Sequence, residues 1–441
     1  MKATVRCLLL ATFLLPQLSR AQTASAAAPN IGALIEAVGR ARTALSGVPA
    51  LWGFDASDVQ WIFTDGSQHL ASARREGRDT VHVVTLPAGT TIANTAVTVD
   101  GKRWAMIVLD LTRTEGATVS LLVHEAMHTF QPDRLPAPGP TEAGVGGDLL
   151  DGADGRAWLF LELRALAIAL TTTGSKQQRA AHDALLFRAR RDALAVPTER
   201  RRLEVLDQIE GIPEYTGLRL DRITDASLAT RLQRADTLDV GWVRSVAYYT
   251  GPAYGFLLDR LGNSTWRAKL RNGTPLPTLL RSAIGADASD VRAASRVSAY
   301  GGEDIFRAER ARARINARRL DALRTRFLRG PVLRVVPGSL QISFDPNGQT
   351  PIGADGTVMT NFRWTTPDGA EFVAAKGALV SPQWDWFQSP LDGATSRHPK
   401  LVNGTLGEAL TLQTADWRLH VPAGWRIVRQ GSRIELRPPA R

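Results

Sequence analysis

From about residue 156 to residue 328 the apolar residues of this chain keep recurring every three or four positions, and outside that stretch they do so only in short runs. Such spacing is the mark of amphipathic helices. It divides the 441 residues into an upstream part, a helical middle and a downstream part. Upstream, IGALIEAVGRARTAL within 30–45 predicts one amphipathic helix. VQWIFT (59–64), TVHVVTL (80–86) and WAMIVLDL (104–111) predict strands separated by turn-like Gly and Asp residues. In the middle, helices are expected at roughly 156–172, 176–194, 198–220, 225–238, 243–261 and 303–328. Beyond Gly330-Pro331, alternating runs such as LRVV, LQISF, FRWTT, EFVAA and WRIV are punctuated by PNG, PDG and PAG turns. The expected fold class is α+β: one domain of strands followed by helices over 22–330, then an all-β, sandwich-like domain over 331–441.

The N-terminus stands outside this pattern. Lys2 and Arg6 precede an apolar run from Cys7 to about Leu15, and Ser19-Arg20-Ala21 offers a cleavage site. That is the layout of a secretory signal peptide over 1–21, so the protein is expected to be exported, periplasmic or secreted. The run is shorter than the roughly 20 residues of a membrane span, and no stable span is expected after cleavage. Cys7 is the single cysteine, so the mature chain would depend on its core without disulfides. Loss of Lys2, Arg6 and Arg20 takes the formal charge from +11 to +8, an excess that is nearly all arginine. Nine arginines lie between Glu303 and Gly330, where Glu303, Asp304, Glu309 and Asp321 interleave with them and Ile305, Ile315, Leu320, Leu323 and Phe327 supply apolar residues. That segment reads as a salt-bridged, solvated helix, and no nucleic-acid partner is expected.

The chemistry concentrates in LLVHEAMHTFQ, residues 121–131, on a helix expected over about 118–131. Residues four apart share a helix face, so His124 and His128 project side by side and can ligate one ion. Glu125 lies to one side, where its carboxylate could act as a general base. Two histidine ligands and a glutamate base in this order form the HExxH pattern of zincins. A metzincin would need Gly at 131 and His at 134; Gln131 and Arg134 stand there instead.

With a glutamate left as the third ligand, the chain resembles the gluzincins, the thermolysin- and aminopeptidase-like zinc peptidases. The resemblance rests on HEAMH and on DQIEGIPEYTGL (207–218), where Glu210-Gly211 and Tyr215 match an EG-x-x-x-Y pattern. It implies a zincin-like catalytic domain with strands over 59–111 and a helical subdomain over 156–330. It implies Zn2+ held by His124, His128 and Glu210. Glu214 would bond a ligand imidazole, and Gly211 would let its helix approach the HEAMH helix closely. Ile209 stands where an asparagine often precedes the ligand, and Glu162, in RAWLFLELRALAIAL, is the rival third ligand. Such peptidases often carry an oxyanion-binding tyrosine on a later helix. In VRSVAYYTGPAYGFLLDRLG (243–262) the choice falls on Tyr249, with Tyr248 and Tyr254 close behind.

The function expected from these residues is zinc-dependent hydrolysis of a peptide bond in a peptide or protein, with Glu125 as general base. WAMIVLDL, just before the HEAMH helix, is expected to be the edge strand that pairs with extended substrate. Two other readings stand beside this one. One is a catalytically silent binding protein whose Trp-rich β domain recognises a glycan or protein. The other is a zinc amidase acting on cell-wall peptides.

Overall fold

The structure is a computed structural model that describes residues 28–439, apart from 88–89, 91, 137–147, 239, 286–289, 339–340 and 345–347. The expected signal peptide lies outside the described residues. The architecture is α+β, with an N-terminal sheet, a helical middle and an all-β C-terminal region. Two compact units divide at Ala311/Arg312.

In the first unit, helix α1 (Ile31–Leu45) precedes five strands, β1 (Trp61–Thr64), β2 (His69–Arg75), β3 (Arg78–Val83), β4 (Thr95–Val99) and β5 (Lys102–Val108). They form one sheet in the order β3-β2-β1-β5-β4, antiparallel except for the parallel pair β1 and β5. Alternation along β1 and β5 sends Trp61, Phe63, Ala105 and Ile107 to one face, where they share a core with Leu34, Val38 and Ala41 of α1. The HEAMH helix, α2 (Val119–Arg134), covers the same face with Leu122, Val123, Ala126 and Met127. Its start is set by Thr118, whose hydroxyl accepts from Leu121 N at 3.2 Å. Trp61 Nε1 donates to Leu122 O at 3.0 Å and pins the helix to the sheet. The expectation for WAMIVLDL is corrected here. β5 lies between β1 and β4, so its backbone is paired on both sides, and the edges are β3 and β4.

The helical middle comprises α3 (Ala153–Thr171), α4 (Gly174–Leu194), α5 (Pro197–Ile209), α6 (Gly211–Leu220), α7 (Asp225–Gln233), α8 (Ala247–Arg260) and α9 (Leu276–Ile284), with shorter turns between them. The single helix expected over 198–220 is broken at Glu210, which caps both α5 and α6. Two glycine contacts set how α6 packs. A Cβ on Gly251 of α8 would fall 2.2 Å from Gly211 Cα, and one on Gly217 would fall 2.4 Å from Ser120 O. The glycine that admits the HEAMH helix is therefore Gly217. Gly211, expected in that role, faces α8 instead, because its Cα points at Gly251.

Helix α10 (Gly302–Arg324) contains the division between the units and carries the arginine-rich run. Within the first unit Arg156 pairs with its buried Glu309 at 2.7 Å, and Arg307 pairs with Asp304 along the helix. The second unit has a five-stranded antiparallel sheet in the order 410–413, 417–421, 371–374, 362–365, 341–343. Its other sheet has eight strands and runs from 404–405 to 349–351. Inner-face residues of both sheets, among them Val335, Trp364, Phe372, Leu419 and Ile427, make one core that Trp425 joins from the turn before its strand. Leu320, Leu323 and Phe327 pack with Ile352, Val358 and Leu379, which accounts for a division that precedes the first strand of the unit.

The Gly211–Gly251 contact makes a specific prediction. Gly251→Ala forces two helix backbones apart and should cost about 1–3 kcal/mol or more in chemical denaturation. Gly39→Ala, where a Cβ meets nothing within 4 Å, should be neutral or mildly stabilising. Equal stability of the two variants would contradict the packing described.

Candidate metal centre

The break between α5 and α6 turns Glu210 toward α2, and three side chains converge there. His124 Nε2 and His128 Nε2 are 3.1 Å apart. Glu210 Oε2 lies 3.4 Å from the first and 3.5 Å from the second. All three groups are nearly excluded from solvent: His124 is 2% and Glu210 5% exposed, and His128 shows 9% of its side chain. These three can hold a metal ion.

Hydrogen bonds on the far side of each ring fix which nitrogen faces inward. His124 Nδ1 donates to Glu214 Oε2 at 3.0 Å, since a carboxylate only accepts. His128 Nδ1 meets Gln131 Oε1 at 2.8 Å. The Gln131 amide cannot be reversed, because its Nε2 donates to both Gln208 O and Ile209 O. Each Nδ1 therefore carries hydrogen, and each Nε2 is the nitrogen that faces the other ring and Glu210. Two such nitrogens and a carboxylate oxygen at these spacings repel unless a proton or a metal cation lies among them. A tetrahedral ion with bonds of about 2.0–2.1 Å separates its ligand atoms by roughly 3.3–3.4 Å, close to the triangle found. The donor set, imidazole with carboxylate, suits a first-row divalent metal ion of the kind that includes Zn2+.

Glu125 completes the centre. Its carboxylate is fully buried, lies 4.0 Å from His128 Nε2 and has no hydrogen-bond partner on either oxygen. Burial pushes its pKa up to about 7. A buried carboxylate without partners is costly, and it persists where function holds it. Burial works against charge on His124 as well, yet hydrogen bonds to Glu210 and Glu214 outweigh it and raise that ring to about 10. His128 shifts upward for the same reason, through the charge of Glu210. Against burial, the positive charge of His128 and bonds from both imidazoles hold Glu210 far below the usual carboxylate range. Glu214 is held low, against burial, first by Arg231, whose NH1 pairs with its Oε1 at 2.7 Å.

Of the three candidate tyrosines, the structure brings Tyr248 to the centre and leaves Tyr249 and Tyr254 outside it. Tyr248 donates to Glu210 Oε2 at 2.6 Å, and its ring stacks on His124 at 5.3 Å with the planes 3° apart. Tyr249, one residue on, is rotated to another face of α8; it packs on Trp242 beneath the Arg231 guanidinium. Tyr254 donates to Glu162 at 2.8 Å. Glu162, the rival ligand, is fully buried with Arg191 at 2.7 Å and Arg188 at 3.7 Å, among charges of a separate network. Gln131 and Arg231 were not anticipated as parts of the centre. The first had a signal, since it lies one helical turn beyond His128; the second had none.

Comparison of the chain with protein-family profiles, curated proteins and solved structures finds no match.

Because the metal-free His124 holds a proton to about pH 10, an ion taking its Nε2 displaces that proton. Affinity should therefore climb as pH rises toward 10. At pH 7.5 calorimetric binding enthalpies for Zn2+ should differ between buffers of unlike ionisation enthalpy, in the sense of proton release. Enthalpies that agree in phosphate and Tris would contradict this.

Proposed function

We propose that the chain is a zinc-dependent peptidase, exported to the periplasm or beyond. One observation carries the reading: three metal-ligating atoms converge in a buried site beside a carboxylate that bonds to nothing. The order of the residues supports it, since HEAMH and Glu210 repeat the gluzincin pattern that the sequence resembles.

Zn2+ held by His124, His128 and Glu210 would supply Lewis acidity, polarising a carbonyl and acidifying a water. The remaining work falls to the chain's own groups. Glu125 takes the proton of the attacking water and later gives it to the departing amine, a task that fits a pKa near neutrality. Tyr248, whose hydroxyl points into the centre, would turn its one hydroxyl proton from Glu210 to the oxyanion of the carbonyl under attack. Glu214 and Gln131 hold the two imidazoles in one tautomer each, and Arg231 keeps Glu214 ionised. The site's burial excludes competing water. A zinc amidase would use the same centre, and substrate choice separates the two. In the binding-module reading, Trp364, Trp417 and Trp425 are 0–3% exposed and serve the core of the β unit, which leaves only the half-buried Trp384 and Trp386 to meet a ligand.

Glu125→Gln keeps shape and removes basicity, so zinc should remain while hydrolysis of a denatured protein substrate falls at least about a hundredfold. Glu210→Ala should strip the metal, and Glu162→Ala should not, although it leaves two buried arginines short of a partner. Near wild-type turnover by Glu125→Gln, or the reverse order of metal loss, would sink this assignment.

A further inference from the structure

His128 stands on α2 and Glu210 at the break between α5 and α6, 82 positions on in sequence, and one side chain touches the supports of both. Gln131 lies three residues beyond His128 and so shares its side of α2. Its Oε1 accepts from His128 Nδ1 at 2.8 Å, while Nε2 donates to Gln208 O at 3.0 Å and Ile209 O at 2.9 Å. Those carbonyls end α5, where the last carbonyls of a helix have no partner within it, and they immediately precede Glu210. Gln131 is 8% exposed, so water does not stand ready to replace a lost bond. A return bond runs from Gln208 Nε2 to Pro136 O at 3.0 Å, so the two glutamines lace the end of α2 to the end of α5.

We propose that Gln131 is a positioning residue that sets, through one amide, both the tautomer of His128 and the backbone that presents Glu210. The inference rests on the metal-binding reading above. An amide has one accepting and one doubly donating end. Two carbonyls can be met only by the donating end, so the oxygen must face His128. His128 must then donate from Nδ1 and keep the Nε2 lone pair for an ion. The hydrogen bonds that satisfy the end of α5 thus also fix the ligand atom on α2. Glutamate at this position would keep the acceptor for His128 but set an oxygen against two carbonyl oxygens. Methionine would fill the space and supply neither function.

The test uses the full mature chain as wild type, Gln131→Met, Gln131→Glu and Gln208→Ala. Zinc affinity is read by competition with a chromophoric chelator, and imidazole nitrogen–proton NMR of the metal-free protein reads the His128 tautomer. The wild type should show the His128 Nδ1–H form. Both Gln131 variants should bind zinc about 10- to 100-fold more weakly while keeping their helical circular dichroism. Gln131→Met should also lose the uniform Nδ1–H form. Gln208→Ala, which removes the bond to Pro136 but leaves both carbonyls and His128 their partner in Gln131, should lower the melting temperature and weaken zinc less than either Gln131 variant. Wild-type affinity in Gln131→Met, equal affinity losses in Gln131→Met and Gln208→Ala, or an Nε2–H His128 in the wild type would overturn the proposal. A wild type that takes up no zinc would defeat the metal reading instead, and the NMR arm would still decide the tautomer claim without any variant.

Discussion

Two imidazole nitrogens 3.1 Å apart, shut away from water, are tolerable only with positive charge among them. The rest of the centre is arranged around that contact. Glu210 lies against both nitrogens, Glu214 and Gln131 hold the rings from behind, and Tyr248 bonds the carboxylate from the side. The charges point the same way. Glu125, Glu210 and Glu214 bring three negative charges and Arg231 brings one positive, so with neutral imidazoles two negative charges remain. One divalent cation neutralises them. Without the ion, the charge is met by a retained proton on His124 and by the raised pKa of Glu125. Both are substitutes that a cation would displace.

Holding such a group together is a packing problem, solved by helices that approach closely. Gly211 against Gly251 brings α6 onto α8, and Gly217 against Ser120 brings α6 onto α2, so Glu210, Tyr248 and His124 meet. Beneath them Asp207 accepts from Thr250 at 2.6 Å and pairs with Arg188 at 3.1 Å, tying α5 to α8 and α4. Glu162, Arg191 and Tyr254 extend that network to α3. Buried ion pairs add little net stability, because desolvation offsets their attraction. Their value here is directional: Asp207 fixes the axial position of α5, which ends at Glu210, and the bond of Tyr254 to Glu162 fixes that of α8, which carries Tyr248.

Much of this was legible in the chain. HEAMH places two ligand atoms by helix geometry alone, and the resemblance through EGIPEY pointed to Glu210 and Glu214. The change from helical to alternating periodicity located the β region. What escaped had no local signal. β2 and β4 were missed because HLASARR and TAVTV carry few large apolar residues. The edge position of β5 failed because strand order depends on pairings across forty residues. Tyr248 and Tyr249 differ by a single 100° step on α8, and the sequence does not say which side of α8 faces the histidines. Glu162 was a fair rival on pattern; only tertiary packing puts Arg188 and Arg191 around it. The break at Glu210 was hidden because both halves of the 198–220 segment are helical in period.

The central claim is that His124, His128 and Glu210 together hold one zinc ion. Elemental analysis of the purified mature protein beside its His124→Ala variant addresses it directly, after both are dialysed against the same trace-metal buffer. One zinc per chain in the wild type and essentially none in the variant is the predicted result. A metal-free wild type, or a variant that keeps its zinc, would contradict the account.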